Sequence, residues 1–281
     1  IPIISLYGNN KKPTREQLLG IDVLVFDIQD VGVRFYTYIS TLHYVMEAAA
    51  ENNIKVIVLD RPNPNGHYVD GPILDTNFKS FVGMHPVPIV HGMTIGEYSK
   101  MINGENWITT RCELIVIEME NYTHNTNYDL PIKPSPNLQN ARAVNLYPSL
   151  CLFEGTNISV GRGTDYPFQH FGAPYLKSNY SFMPKSGEGS KYPKHEDIVC
   201  FGTDLRFQED YLTALNLNWI IETFKQCSEK EEFFNNFFDK LAGTDKLKKQ
   251  IIAGMTAKEI KASWQEGLEK FKKIRKKYLI Y

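Results

Sequence analysis

Within one run of eight residues sit the groups most suited to acid–base work in this chain: Asp27, Asp30 and Arg34, in Asp27-Ile28-Gln29-Asp30-Val31-Gly32-Val33-Arg34. A carboxylic acid placed to give a proton and a second carboxylate placed to take one are the usual agents of general acid–base catalysis. Three later stretches add to the set. Asp60-Arg61-Pro62-Asn63-Pro64-Asn65-Gly66 offers Arg61 and Asn63 on a turn stiffened by two prolines. His91 stands just before a capping box, and Glu154-Gly155-Thr156-Asn157 is followed by Gly161-Arg162-Gly163-Thr164. Glu154 follows Leu152-Phe153, and such apolar neighbours favour a protonated carboxyl. Plainer roles compete at each position. Asp27 caps a turn, Asp30 pairs with Arg34, Arg61 binds backbone carbonyls, His91 is structural, and Glu154 pairs with Arg162.

The elements that must carry these groups are legible. Val23-Leu24-Val25-Phe26 is continuously apolar, which suits a parallel strand covered on both faces. Asp27 and Asp30 then fall at its carboxyl end, where open α/β sheets bind ligands. Thr37 to Asn52 has apolar residues at helical spacing, and Lys55 to Asp60 is a second apolar strand, so the unit is β-α-β. Residues 1–8 read as a short strand, Thr14 caps a short helix, and residues 67–92 read as a long loop. Thr94-Ile95-Gly96-Glu97 opens a helix to about Asn103. Glu113 to Met119 is a third strand, and residues 122–137 are loop. Farther on, residues 175–197 read as a polar loop, 199–207 as a strand, and 210–224 and 229–241 as helices. A second capping box at Thr256 opens one long final helix, whose run from Lys272 to Lys277 reads as a solvated charged face. The expected architecture is a Rossmann-like, mostly parallel sheet with flanking helices over residues 1–146, and a smaller α+β domain over 147–281.

Composition narrows the partners. The chain has 281 residues, 31 basic and 32 acidic, for a formal net charge of −1, which gives no electrostatic footprint for nucleic acid. Aromatics make up 12%, enough for sugar-stacking platforms as well as cores. Cys112, Cys151, Cys200 and Cys227 are too widely spaced for a metal motif, so no metal is expected and free buried thiols are. The glycines form no dinucleotide fingerprint after a strand, so no cofactor is expected. No apolar run approaches the ~20 residues of a spanning helix, and no signal-peptide core is present. The start at Ile1, without an initiator Met, reads as processed or trimmed.

At Ser5-Leu6-Tyr7-Gly8, Asp22 to Asn53, Val56 to Gly66, His91 to Glu97, Pro134 to Leu138, Tyr147 to Phe168, Phe171 to Pro174, Phe237 to Asp245 and the closing helix to Tyr281, the sequence resembles the NamZ family of exo-β-N-acetylmuramidases. The resemblance covers nearly the whole chain. It implies a Rossmann-like amino-terminal domain, a smaller carboxyl-terminal domain and a site in the cleft between them. It also implies release of N-acetylmuramic acid from the non-reducing end of peptidoglycan fragments, cell-wall recycling, and a periplasmic or extracellular location. Similar family members carry a further segment upstream of Ser5, with a Pro-Glu-His-Gly motif that this chain lacks. One edge of the sheet would then be exposed and the isolated chain inactive. On this reading Glu154 and Asp30 are the catalytic carboxylates with Asp27 in reserve, or the Glu of the upstream motif holds one of the two roles, or one carboxylate orients a substrate acetamide that acts as its own nucleophile. The lactyl carboxylate of muramic acid calls for a guanidinium, and Arg61 and Arg162 rank above Arg34. Asn63, His91 and Asn157 complete the expected substrate-binding set. A non-catalytic cell-wall sugar-binding module is the rival class; a hydrolase of acidic small molecules such as phosphate esters has no P-loop or metal cluster to support it.

Overall fold

The computed structural model describes residues 3–6, 8–208 and 210–281. Its first layer is a parallel sheet of β1 (Val23–Phe26), β2 (Lys55–Leu59) and β3 (Leu114–Ile117), ordered β1-β2-β3. Helix α1 (Tyr38–Glu51) returns the chain from β1 to β2, and α2 (Ile95–Gly104) lies between β2 and β3 in sequence. α1 packs on β2, and α2 on β2 and β3. These helices bury Phe26, Val56 and Val58 with Leu42, Met46, Tyr98 and Met101. The strand was expected to be covered on both faces, and among the described residues it is not. Val23 is 42% exposed, Val25 60%, Ile115 42% and Ile117 50%, because both helices lie on the other face. An unbroken apolar run records hydrophobicity on both sides of a strand and says nothing of what covers each side.

The helix starts follow from their caps. Thr94 accepts from Glu97 N while Glu97 reaches back to Thr94 N, so both orphan donors of the first turn of α2 are satisfied. Helix α3 (Ala141–Leu150) is opened by Asn140, whose side chain accepts from Ala143 N. It contains Pro148, a residue that argues against a helix in sequence, and runs into a 3-10 turn at Cys151–Gly155. Burial of Val144, Leu146, Tyr147 and Leu150 overrides that local penalty.

The second layer is a small antiparallel sheet of β4 (His170–Ala173), β5 (Tyr180–Phe182) and β6 (Cys200–Asp204), ordered β4-β6-β5. β5 lies inside the expected polar loop. Residues of this sheet share one hydrophobic cluster with α4 (Asn218–Gln226), α5 (Lys230–Phe233), α6 (Phe238–Ala242), α7 (Lys246–Ile252) and α8 (Ala257–Ser263), which α9 (Gln265–Arg275) follows. The expected helix over 210–224 starts only at Asn218, and that over 229–241 breaks at Phe234, whose backbone is extended. The final helix likewise breaks at Trp264, whose indole donates to Asp70. Ile3 to Leu6 join neither sheet, and Ile1, Pro2 and Tyr7 of the expected first strand lie outside the described residues.

The two hydrophobic clusters do not divide where the chain does. Val31, Val33, Phe35, Ile89 and Val90 belong to the carboxyl-terminal cluster, and Phe271 of α9 to the amino-terminal one. Arg275 donates to the Gly92 carbonyl, so the cationic run is not wholly a solvated face. The terminus then folds back. Tyr281 Oη donates to Asp60 at 3.0 Å, and Ile280 N to Glu97 at 2.9 Å.

Candidate functional site

The nominated side chains fall into three groups. The first is Asp27 with Arg61, at the ends of β1 and β2. Arg61 Nε and Nη2 both reach Asp27 Oδ1 at 2.6 Å, and both side chains are about two-fifths exposed. Arg61 Nη1 is left over for a ligand. Asp60 fixes this loop by accepting from Arg61 N, Gly96 N and Thr94 Oγ1, and Gln29 joins the two loops by donating to the Asp30 and Pro62 carbonyls. Asn63 is a strut in the same loop, bonded to Met93 O and Asn65 N and packed against Gly32. Gly32 has φ +75°, and a Cβ there would lie 2.2 Å from Asn63 Oδ1, so both the turn and the close approach require glycine.

The second group is Asp30 with His91. Asp30 is buried; its Oδ2 accepts from Gly32 N at 2.7 Å and its Oδ1 has no partner. Burial, opposed by the Gly32 and Val31 amides, lifts its pKa to about 7. His91 Nδ1 accepts from Met93 N, which puts the proton on Nε2, and Nε2 stands 4.0 Å from Asp30 Oδ2 without a hydrogen bond. Burial first, then Arg275, Arg34 and His124, lower the His91 pKa to about 3. The imidazole is therefore neutral, and the contact is not an ion pair.

The third group is Glu154 with Arg162. Arg162 Nε meets Oε1 at 2.5 Å and Nη2 meets Oε2 at 3.1 Å, a two-pronged pair in which neither side chain is more than a third exposed. Glu154 is thus clamped by a guanidinium rather than left bare against Leu152 and Phe153. Two aromatic residues that motif reading passed over join this group to the second. The Tyr36 phenol, raised in pKa chiefly by burial, also feels the Asp30 charge. Its ring centroid lies 5.8 Å from that of Tyr147, which is in turn 4.9 Å from Phe168 beneath Arg162. Tyr147, raised first by burial, feels Cys151 and Glu154. A second omission is Lys194, which donates to the Phe153, Thr156 and Ile158 carbonyls and so holds the Glu154–Asn157 turn. Asn157 is bonded by Tyr175 Oη and by His195. A lysine in a polar loop carries no sequence signal for such a role.

Arg34 corrects an expectation. It neither pairs with Asp30 nor faces a ligand: it is fully buried and donates to the Pro72, Val87, Leu241 and Ala242 carbonyls at 2.6–3.1 Å. No group of three or more metal-ligating side chains occurs among the described residues, and all four cysteines are buried and free.

The Asp30 titration has a consequence for stability. An unfolded carboxyl titrates near 3.8 and the folded one near about 7, so between these values the native state holds the extra proton. Its contribution is full below about pH 4 and is lost as pH rises through 7, a swing of roughly 2–4 kcal/mol. Asp30→Asn cannot titrate. The wild-type advantage over that variant should shrink from pH 4 to pH 8 in urea titrations, and a difference independent of pH would refute the assignment. His91 acts in the opposite sense, losing stabilisation as pH falls from 6.5 toward 3, but it is common to both proteins.

Fold and site together define an α/β protein whose acidic and guanidinium groups collect at strand ends and on a glycine-rich turn, the equipment of a hydrolase of polar substrates. The comparisons place it more narrowly. Residues 1–142 match the amino-terminal model of the exo-β-N-acetylmuramidase NamZ and residues 145–281 its carboxyl-terminal model, so the chain belongs to the NamZ family. It is 41% identical over 302 residues to the peptidoglycan β-N-acetylmuramidase NamZ of Bacillus subtilis (strain 168), covering 100% of this chain and 72% of that protein. Two crystal structures of DUF1343 family proteins from Bacteroides fragilis NCTC 9343 are similar. One has a TM-score of 0.93 at 49% identity, over 96% of this chain and 78% of the other; the second has 0.86 at 27%, over 100% and 80%.

Proposed function

We propose that this chain is a glycoside hydrolase that releases N-acetylmuramic acid from the non-reducing end of peptidoglycan fragments. The observation that carries the reading is the presence of two carboxyls in unlike surroundings within one family scaffold. Asp30 is kept near neutrality by burial, and the clamped Glu154 lies beyond Tyr36 and Tyr147. Unlike environments for two acids are what an acid–base pair needs. Arg61 and Arg162 each use two donor nitrogens on a carboxylate and keep Nη1 for the lactyl group. In this reading the site occupies the cleft between a Rossmann-like unit ending near residue 146 and the smaller unit after it. The work is cell-wall recycling in an exported, periplasmic or extracellular setting, where peptidoglycan fragments occur. Hydrolysis of 4-nitrophenyl N-acetyl-β-muramide tests it. The expected result is release of nitrophenol above the blank; no release from protein shown by circular dichroism to be folded refutes the proposal.

A further inference from the structure

Beside Arg162 the chain continues through Gly163 and Thr164 into a groove of about 610 Å³, walled by the edge of the small sheet. None of the nominated catalytic residues lines it. Its walls are built rather than incidental. The His170 imidazole is held between Tyr180 Oη at 2.6 Å and Thr164 Oγ1 at 3.0 Å, and it stacks on Phe182 at 4.0 Å. Arg206 is paired in two-pronged fashion with Asp204 at 2.9 and 2.8 Å, and its guanidinium lies 4.6 Å from the Tyr166 ring centroid. Tyr166 is thereby propped in place while 42% of it remains exposed at the groove. A Cβ on Gly163, at φ +81°, would meet the Lys185 carbonyl at 2.3 Å, so this floor admits only glycine.

The geometry points to this groove as the subsite for the sugar on the reducing-end side of the cleaved bond, a neutral 2-acetamido pyranose seated on Tyr166. The assignment rests on the glycosidase reading above and names where the leaving portion of the substrate lies. Three features select that ligand. An exposed aromatic face matches the apolar C–H face of a pyranose. The Asp165 and Glu188 carboxylates among its lining are acceptors for sugar hydroxyls. The Arg206 charge is already satisfied by Asp204, and the remaining lining cation, Lys185, is outnumbered by Asp165 and Glu188, which disfavours a phosphate. The volume falls in the range of small-molecule sites, and the groove begins one residue from Arg162.

The test compares two substrates of the full chain: the disaccharide N-acetylmuramyl-β-1,4-N-acetylglucosamine, which fills the groove, and methyl N-acetyl-β-muramide, which leaves it empty. Tyr166→Ala should lower the ratio of their kcat/KM values about tenfold, the scale of one lost aromatic contact, and Tyr166→Phe, which keeps the ring, should restore it. An unchanged ratio, whether through equal losses on both substrates or no loss on either, overturns the assignment. Binding of methyl N-acetyl-β-glucosaminide, followed by NMR, separates this from the activity itself. If the wild-type chain cleaves neither substrate, the glycosidase reading fails; binding lost in Tyr166→Ala then still supports the groove as a sugar site, and binding unchanged overturns it.

Discussion

Glu154→Gln is expected to reduce hydrolysis of N-acetylmuramides by roughly 10²–10⁴-fold in kcat, the usual worth of a positioned acid or base. Glutamine keeps the shape and one acceptor oxygen for Arg162, but it can neither carry a negative charge nor exchange a proton. The loss corresponds to about 3–5 kcal/mol of transition-state stabilisation. Because Arg162 would lose its ionic partner, the thermal midpoint must be measured alongside. The pair is partly exposed, so its stability share should be small, about 1 kcal/mol or less. A large kinetic loss with a nearly unchanged midpoint supports catalysis. That Arg162 already engages both Glu154 oxygens favours a second reading, a sugar-binding module without turnover. An unchanged ligand affinity with no activity in either protein would favour that module.

Arg34→Met should be the most destabilising single replacement considered, costing about 3–5 kcal/mol, because it leaves buried acceptors without donors. Arg34 ties the Pro72 and Val87 carbonyls to those of Leu241 and Ala242, joining segments more than 150 residues apart in sequence by one guanidinium. Lysine cannot replace it, since a single ammonium has three donors and no planar fork to span four oxygens. Chemical denaturation of Arg34→Met and Arg34→Lys checks this. A cost below about 1 kcal/mol for Met, the level of an exposed pair, would show that the carbonyls find other donors.

Much of the amino-terminal architecture was readable because it is local. The three parallel strands are short apolar runs ending in acids, and Thr94 and Thr256 carry the residues of a capping box within four positions. Elements whose stability comes from distant partners were not readable. Helix α3 contains Pro148 and persists through burial of its apolar face, and β5 is three residues long inside a polar stretch and exists by pairing with β6. The breaks at Phe234 and Trp264 likewise follow from where those side chains must pack or bond.

At the site, sequence alone determined which residue types are available: carboxylates after β1, a guanidinium on the proline turn, and a Glu and an Arg on two glycine-bounded turns. Tertiary structure decided what each one does. It gave Asp27 to Arg61 and Glu154 to Arg162, turned Arg34 inward onto four carbonyls, and buried Asp30 beside a neutral His91 so that its proton is held to about pH 7. The reason is that ionisation and pairing depend on solvent exclusion and on neighbours remote in sequence, neither of which is encoded by residue type or local spacing.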